Sequence, residues 1–351
     1  MTEIAESEVR VSRAMKRPAI LAGLGALLAA TFILSLVTGA VPVSVGDVLR
    51  SLFGFEVDGQ TAAVIQMIRL PRALLAVVVG GALAGAGAAF QGLFRNPLAD
   101  PSLIGVSSGA AFGAVFVIVF GGLVAAAIPA FASPFLLPFF AFAGGIGATF
   151  AIQGLAQSRG QAATATLLLA GIAINALTWA LTGVTIYVAN DAQIRDFTFW
   201  SMGSLASGGW QALWLATVPI ALALGVILTR ARALDAMLLG EREALHLGVP
   251  VHRLKHIIMI AAALAVSSAV AVSGVISFVG IVVPHVVRML AGPDHRIVLP
   301  GSILAGATLL LAADSFARIV VAPAELPIGL VTAAIGSPFF LWLLMNRKRS
   351  L

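Results

Sequence analysis

The sequence predicts an all-α integral membrane protein with about ten membrane-spanning helices. Apolar residues make up 60% of the 351 residues, charged residues only 10%, and the mean hydropathy is +1.04. A protein surface that faces water cannot be built from this composition. A bilayer core takes roughly 20 apolar residues per helix, so a chain of this length crosses it about ten times and leaves no room for a large soluble domain.

Glycine, cysteine and the basic residues narrow the functional classes. The 36 glycines fit helices that approach each other closely in lipid. The absence of cysteine excludes disulfides, thiolate metal sites and cysteine nucleophiles. The net charge of +6 lies at predicted helix ends and forms no basic stripe, so it indicates membrane topology and argues against nucleic-acid binding.

Apolar runs between polar breaks define ten predicted spans. The eighth run is too short to cross a bilayer and Pro284 interrupts it, so we expect a half-helix packed inside protein. Residues 1–17 and 347–351 are predicted tails, and residues 18–346 form a single membrane domain. The spans lie near residues 18–40, 62–90, 102–120, 134–157, 162–189, 209–229, 255–275, 278–290, 297–321 and 327–346.

The basic N-terminus has two interpretations. Arg10, Arg13, Lys16 and Arg17 precede an apolar run, as in a secretory signal peptide. The run from Pro18 to Ala40 is long for a signal peptide, and no small-residue cleavage pattern stands out. We therefore favour a retained first span.

The loop charges predict that both termini are cytoplasmic. An even number of spans places the termini on one side. With the termini inside, only five of the 21 Lys and Arg residues fall on the outer side, and the other 16 fall in cytoplasmic segments, as the positive-inside rule expects. The five outer ones are Arg50, Arg69, Arg72, Arg195 and Arg318.

The longest cytoplasmic interruption, residues 230–256, predicts a pair of amphipathic helices. Its apolar residues recur at helical spacing among charges, and Gly240 and Gly248 divide it. Two such helices across a membrane face suit the docking of a soluble partner. The alternative is an ordinary solvated loop.

Three arginines, Arg69, Arg72 and Arg318, lie on the predicted outer side, where the positive-inside rule disfavours basic residues. One interpretation is recognition of carboxylates on an external partner, because a guanidinium fork suits bidentate pairing. The other is internal pairing with Asp314 or Glu325, or pairing with lipid phosphate. The sequence alone favours neither.

The remaining motifs indicate packing and do not indicate catalysis. Gly105, Gly109 and Gly113 follow a proline-rich turn and predict a closely packed third helix. Nothing supplies the Walker spacing with its lysine, so the chain is not expected to hydrolyse nucleotide. Of five histidines, His285 alone is predicted at membrane depth, where a structural role is expected. The other four, His246, His252, His256 and His295, fall in predicted cytoplasmic loops.

Several segments, in the same order along the chain, resemble the FecCD-type permeases of type II ABC importers, which carry ferric siderophores, haem or cobalamin. The resemblance covers nearly everything from residue 69 onward. The matching segments are "RLPRALLAVVVGGALAGAGAAFQGLFRNPLADPSLIGVSSGAAFGA" from Arg69, "LLLAGIAINAL" from Leu167, "FWSMGSL" from Phe199, "SGVISFVGIVVPHVVRMLAGPDHR" from Ser273 and "AELPIGLVTAAIGSPFFLWLL" from Ala324.

The resemblance implies the type II ABC importer permease fold and a multi-pass subunit of the bacterial inner membrane. A second copy of the chain, two ATPase subunits that bind ATP and Mg, and a periplasmic substrate-binding protein are the implied partners. No cofactor or metal is expected on this chain. Within the family, the sequence from Thr164 to Gly183 is most similar to the haem-importing branch. Haem is therefore the expected cargo, with ferric siderophore or cobalamin as alternatives.

The resemblance also implies residue roles. Arg69, Arg72 and Arg318 match positions that dock the binding protein. The segment 230–256, which we name the coupling loop, matches the coupling helices that enter the ATPase cleft. The implied ATPase contacts are Leu239, Gly240, Glu241, Glu243, Ala244, Leu247 and Gly248. The implied lining of the translocation path is Asn175, Thr182, Phe199 and Trp200.

Two functions of other classes are alternatives to an importer subunit. An ion-coupled secondary transporter keeps a carboxylate within its spans, and Asp314 is the plausible one here. A membrane enzyme would need an assembled nucleophile or metal set, and the sequence offers none.

Overall fold

The regular structure is helical throughout the residues that the computed structural model describes, which are 2–39, 41–127, 129–157 and 164–347. The helices are α1 (Thr2–Val37), α2 (Val45–Leu52), α3 (Gly59–Ala63), α4 (Leu70–Leu93), α5 (Val106–Ala125), α6 (Leu136–Gln157), α7 (Thr164–Tyr187), α8 (Asp191–Ser201), α9 (Trp210–Thr229), α10 (Ala231–Leu239), α11 (Glu241–His246), α12 (Val251–Ser273), α13 (Val279–Ala291), α14 (His295–Ala317) and α15 (Ile328–Arg347).

The apolar helices confirm the predicted membrane protein. Within the described ranges, eight helical stretches are long and apolar enough to cross a bilayer, and shorter apolar helices cover Val279–Ala291 and Ile328–Leu343. These ten stretches coincide with the ten predicted spans, with ends shifted by a few residues. The largest shift is at the N-terminus, where α1 begins at Thr2, so the predicted tail is helical from its second residue.

The short eighth helix is confirmed, but Pro284 does not end it. α13 has 13 residues and runs through Pro284. Proline lacks the N–H that would bond to the carbonyl of Gly280 one turn earlier. The Gln91 side chain of α4 takes that place, with Nε2 donating to the oxygens of Gly280 at 3.3 Å and Ile281 at 3.1 Å. A neighbouring helix therefore satisfies the backbone that the proline leaves open.

Close glycine contacts hold the long helices together, as the sequence predicts for α5. A Cβ on Gly109 or Gly113 would overlap the backbone oxygens of Gly144 or Phe140 in α6. The same contact joins α4 to α14, where a Cβ on Gly80 or Gly306 would overlap the other helix's backbone. Such close approach supplies van der Waals packing where lipid provides no hydrophobic drive.

Helix α4 lies at the centre of the bundle and packs against α14, α12, α9 and α13. A π-helical segment, Val64–Arg69, precedes α4, and Pro71 lies in the first turn of α4. Proline is tolerated there because the first turn needs no N–H partner. The wider π turn ends at Arg69, and Arg72 follows one turn later, so both arginines lie at the same end of α4.

Candidate functional site

The residues predicted for binding-protein docking and for ATPase coupling fall at opposite ends of the α4–α14 pair. Arg72 of α4 and Asp314 of α14 lie at one end, where Arg69 and Arg318 also lie. At the other end α10 contacts both α4 and α14. We name the first group, Arg69, Arg72 and Arg318, the outer arginine cluster, and the second group is the coupling loop.

Arg72 is held by two carboxylates from distant parts of the chain. Its Nε and Nη2 donate to Asp314 Oδ1 at 3.0 and 2.9 Å, and its Nη1 and Nη2 donate to the two oxygens of Glu325 at 3.0 and 2.9 Å. Asp314 is 1% exposed, whereas the Glu325 side chain is 39% exposed. One guanidinium therefore joins a buried acid to an acid at the surface.

Arg69 and Arg318 bind the C-terminal end of α1. Arg69 Nη1 donates to the carbonyl oxygens of Leu36 and Val37, both at 2.8 Å. Arg318 Nη1 donates to Thr38 O at 3.0 Å, and its Nη2 donates to Ser35 O at 3.1 Å. The last carbonyls of a helix have no intrahelical partner and carry partial negative charge, so two arginines are well placed there.

The structure therefore provides internal partners for the whole outer arginine cluster. Asp314 and Glu325 are the two acids that the sequence offered for internal pairing. Arg318 Nε also lies 3.1 Å from Asp314 Oδ2, as an ion pair without hydrogen-bond geometry, so Asp314 lies between two arginines. Docking of an external protein at these arginines stays a prediction, and Arg72 is the one whose acidic partner reaches solvent.

The coupling loop folds as two short helices, which confirms the predicted break at Gly240. Its φ of +132° lies in the region that favours glycine. A Cβ at this position would overlap the Glu243 carboxylate, which lies over the start of α11. At the other end of α11, Gly248 has φ +82°, and Val249 N donates to Ala244 O at 2.9 Å. This pattern is a Schellman cap.

The two helices bury one side and expose the other. Leu234 and Met237 of α10 and Ala244 of α11 are completely buried. Leu239, Leu245 and Leu247 are exposed, the last two at 57% and 63%. Lys255 of α12 pairs with Glu241 at 2.8 Å to both carboxylate oxygens. A loop anchored on one side and apolar on the other is suited to covering by another protein.

The residues implied as path lining have different surroundings in this chain. Asn175 accepts a hydrogen bond from the Ser108 hydroxyl, and Thr182 is buried with its hydroxyl donating to Thr178 O at 2.8 Å. Phe199 is exposed, and the Trp200 ring stacks on Phe197 with centroids 6.2 Å apart. The shared role of these four side chains in lining a path stays a prediction.

A contact between Asp235 of the coupling loop and His295 was not predicted from the sequence. His295, expected in a cytoplasmic loop, is completely buried at the start of α14. Its Nδ1 lies 2.8 Å from Asp235 Oδ1 of α10. The two residues are 60 positions apart and share no motif, so no local signal could pair them.

Three of the other histidines have aromatic or imidazole rings as neighbours. His285 meets Phe339 edge to face, and His252 and His256 have ring centroids 4.6 Å apart at the start of α12. Among the described residues, no group of three or more His, Asp or Glu side chains is placed to hold a metal ion.

Comparisons with known proteins agree on one family. The model of the FecCD transport family matches residues 27–346. The hemin transport system permease protein HmuU of Yersinia pestis is 46% identical over 286 residues, covering 80% of this chain and 83% of HmuU. The cobalamin import system permease protein BtuC of Halobacterium salinarum is 40% identical over 294 residues, covering 84% of this chain and 76% of that protein.

A solved structure shares the fold. It is described as an inward-facing ABC transporter of the metal-chelate type, and it superimposes with a TM-score of 0.81 at 34% identity. The superposition covers 94% of this chain and 99% of the solved one.

Proposed function

Because this chain belongs to the FecCD transport family and is the permease subunit of an ABC importer, we propose that it imports haem. As a multi-pass permease of a bacterial ABC importer it belongs to the inner membrane, and in this family a separate ATPase hydrolyses ATP. The proposed path leads haem from a periplasmic binding protein, through the interface of two copies of this chain, into the cytoplasm.

The coupling loop is the observation that carries the transport role. Its exposed leucines form an apolar surface on a base that is packed into the bundle and tied by the Glu241–Lys255 pair. We assign this surface to the ATPase subunits, with Leu239, Glu241, Glu243, Leu245, Leu247 and Gly248 as its contact region. Gly240 and Ala244, which the resemblance also implied as contacts, are buried and support this surface from beneath. ATP-driven closure of the ATPase dimer would then displace the loop and change which end of the path is open.

Haem is the proposed cargo because HmuU is a hemin permease at 46% identity. Ferric siderophore and cobalamin are the alternative cargoes, the second because cobalamin permeases are also similar to this chain.

An ion-coupled secondary transporter is less well supported. Asp314, the acid that such a mechanism would use, lies within hydrogen-bond or ion-pair distance of both Arg72 and Arg318. Both oxygens of this carboxylate already face arginine nitrogens, so neither is left open for a transported ion.

A direct test uses the chain in proteoliposomes with its ATPase and binding protein, with ATP inside. We expect ATP-dependent uptake of haem to exceed that of a ferric siderophore and of cobalamin. A preference for either of the other two would replace haem as the cargo and leave the importer role intact. Matched vesicles without ATP provide the baseline.

The proposed orientation places both termini in the cytoplasm. Because the chain has no cysteine, single cysteines can be introduced one at a time without background. In right-side-out vesicles, Ser207→Cys in the outer loop before α9 should react with a membrane-impermeant maleimide, and Arg232→Cys in the coupling loop should not. Labelling in the opposite order would reverse the assignment.

A further inference from the structure

The Asp235–His295 pair links the coupling loop to the membrane core, with the His295 side chain completely buried and the Asp235 side chain 29% exposed. Asp235 Oδ1 accepts from two donors of His295, the backbone N at 2.7 Å and ring Nδ1 at 2.8 Å. A carboxylate oxygen accepts hydrogen bonds, so the contact is assigned with Nδ1–H of the ring as the donor. The contact fixes both the start of α14 and the orientation of the ring.

The imidazole also fills a space that α4 leaves for it. A Cβ on Gly92, near the C-terminal end of α4, would overlap Nε2 of His295. One side chain therefore touches α10, α14 and α4 at the same place. Any displacement of Asp235 must move the ring or break these contacts.

The two long helices behind this point form one continuous body. They are joined at the coupling-loop end by Gly92 and His295, in the middle by Gly80 and Gly306, and at the far end by the Arg72–Asp314 ion pair. Arg72 and Gly92 are 20 residues apart, which is about 30 Å of helix and close to the thickness of a bilayer core. Packed helices of this kind move as rigid units.

We propose that Asp235 and His295 are positioning residues that transmit movement of the coupling loop to the α4–α14 pair, and through it to the outer arginine cluster. This inference rests on the proposed function, because it gives the ATPase surface a mechanical connection to the opposite face. Glu241–Lys255 is a second anchor; it joins α11 to α12, whereas Asp235–His295 joins α10 directly to α14.

The test measures haem uptake per ATP hydrolysed by the complete importer in proteoliposomes. In Asp235→Ala we expect ATPase co-purification and ATP hydrolysis to stay within about twofold of wild type. The uptake ratio should fall about tenfold, the loss typical of one hydrogen bond to a charged group. Asp235→Asn keeps an oxygen that can accept from both N–H groups, so it should restore most of the ratio.

Asp294→Ala is the matched control. Asp294 also accepts from a backbone N–H at the start of α14, from Arg296 at 2.9 Å, but it caps that helix from its own N-cap position. We expect Asp294→Ala to leave the uptake ratio near wild type. An equal loss in Asp294→Ala and Asp235→Ala would mean that helix capping alone matters and would overturn the inference.

Gly92→Ala attacks the same contact from α4 without touching Asp235. Its effect on the uptake ratio should not add to that of Asp235→Ala, because both variants displace one imidazole. If Gly92→Ala does not fold, the Asp235→Ala and Asp235→Asn pair still decides. A normal ratio in Asp235→Ala refutes only this inference, whereas a wild-type chain that binds no ATPase refutes the proposed function itself.

Discussion

The outer arginine cluster and the coupling loop use charge and apolar surface in opposite ways. In the outer cluster the arginine side chains are largely buried, and Arg72 is bonded both to the buried Asp314 and to the partly exposed Glu325. In the coupling loop the buried face is mainly apolar, with Leu234 and Met237 inside, and leucines also cover the exposed face. The charged groups of the outer arginine cluster find their partners within one chain, whereas the coupling loop leaves apolar surface exposed for another protein.

This difference distinguishes residues that stabilise the fold from residues that we expect to bind another protein. Removal of an arginine that is bonded to two internal carboxylates lowers stability, because a buried carboxylate then loses its hydrogen-bonded partner. An exposed leucine costs little stability but much binding energy when it lies in an interface. Stability and assembly measurements should therefore give opposite rankings for the two regions.

The largest effect is expected at Arg72. Arg72→Ala leaves the buried Asp314 with Arg318 alone, and breaking a buried pair costs about 3–5 kcal/mol. We expect a large drop in the thermal unfolding temperature of the purified chain or loss of folded protein. Arg195→Ala, an exposed arginine on the same predicted side, should change the unfolding temperature little. Equal stability of both variants would show that the internal pairing is unimportant.

The next effect is expected in the coupling loop. Leu245→Asp should leave the unfolding temperature unchanged and weaken ATPase co-purification about tenfold or more, because an interface hot spot is worth roughly 2 kcal/mol. Leu245→Met keeps the apolar contact and should bind as wild type does. Normal ATPase binding by Leu245→Asp would remove this surface from the proposed interface.

A smaller effect is expected for Glu325→Gln. Loss of this charge frees the outward donors of Arg72 for a carboxylate on a binding protein. Affinity for the binding protein should rise about threefold at low salt, and the gain should disappear at high salt. The control is Glu56→Gln, an exposed acid in an outer loop. Unchanged affinity at every salt concentration would argue against docking at Arg72.

The smallest effect is expected for Glu241→Gln. Glu241 is partly exposed and the glutamine can still accept a hydrogen bond from Lys255, so the expected loss is about 1 kcal/mol or less. Thermal unfolding at low and high salt should show a small difference that salt removes. Arg242→Gln, an exposed neighbour, serves as the comparison. A loss as large as that of Arg72→Ala would make the coupling loop part of the structural core.

The sequence was sufficient for features that depend on local composition. The ten apolar stretches, the short α13, the close packing of Gly109 and Gly113 and the break at Gly240 follow from hydropathy and from glycine's freedom of conformation. It was insufficient where partners are far apart. Charge topology placed Arg72 on the outer side but could not show its burial beside Asp314, 242 residues away.

The same limit explains the missed His295. A histidine after a glycine-proline turn has the local pattern of a loop residue, and only the packing of α10 against α14 buries it. Pro284 shows the converse case, because a tertiary contact from Gln91 rescues a helix that the local rule would end.

The central claim is that this chain moves cargo only when an ATPase acts on its coupling loop. The most direct measurement compares haem uptake into proteoliposomes that hold the chain alone, under an imposed proton or sodium gradient, with vesicles that hold the chain, its ATPase, loaded binding protein and ATP. We predict uptake only in the second set. Gradient-driven uptake by the chain alone, equal to that of the complete importer, would contradict the claim.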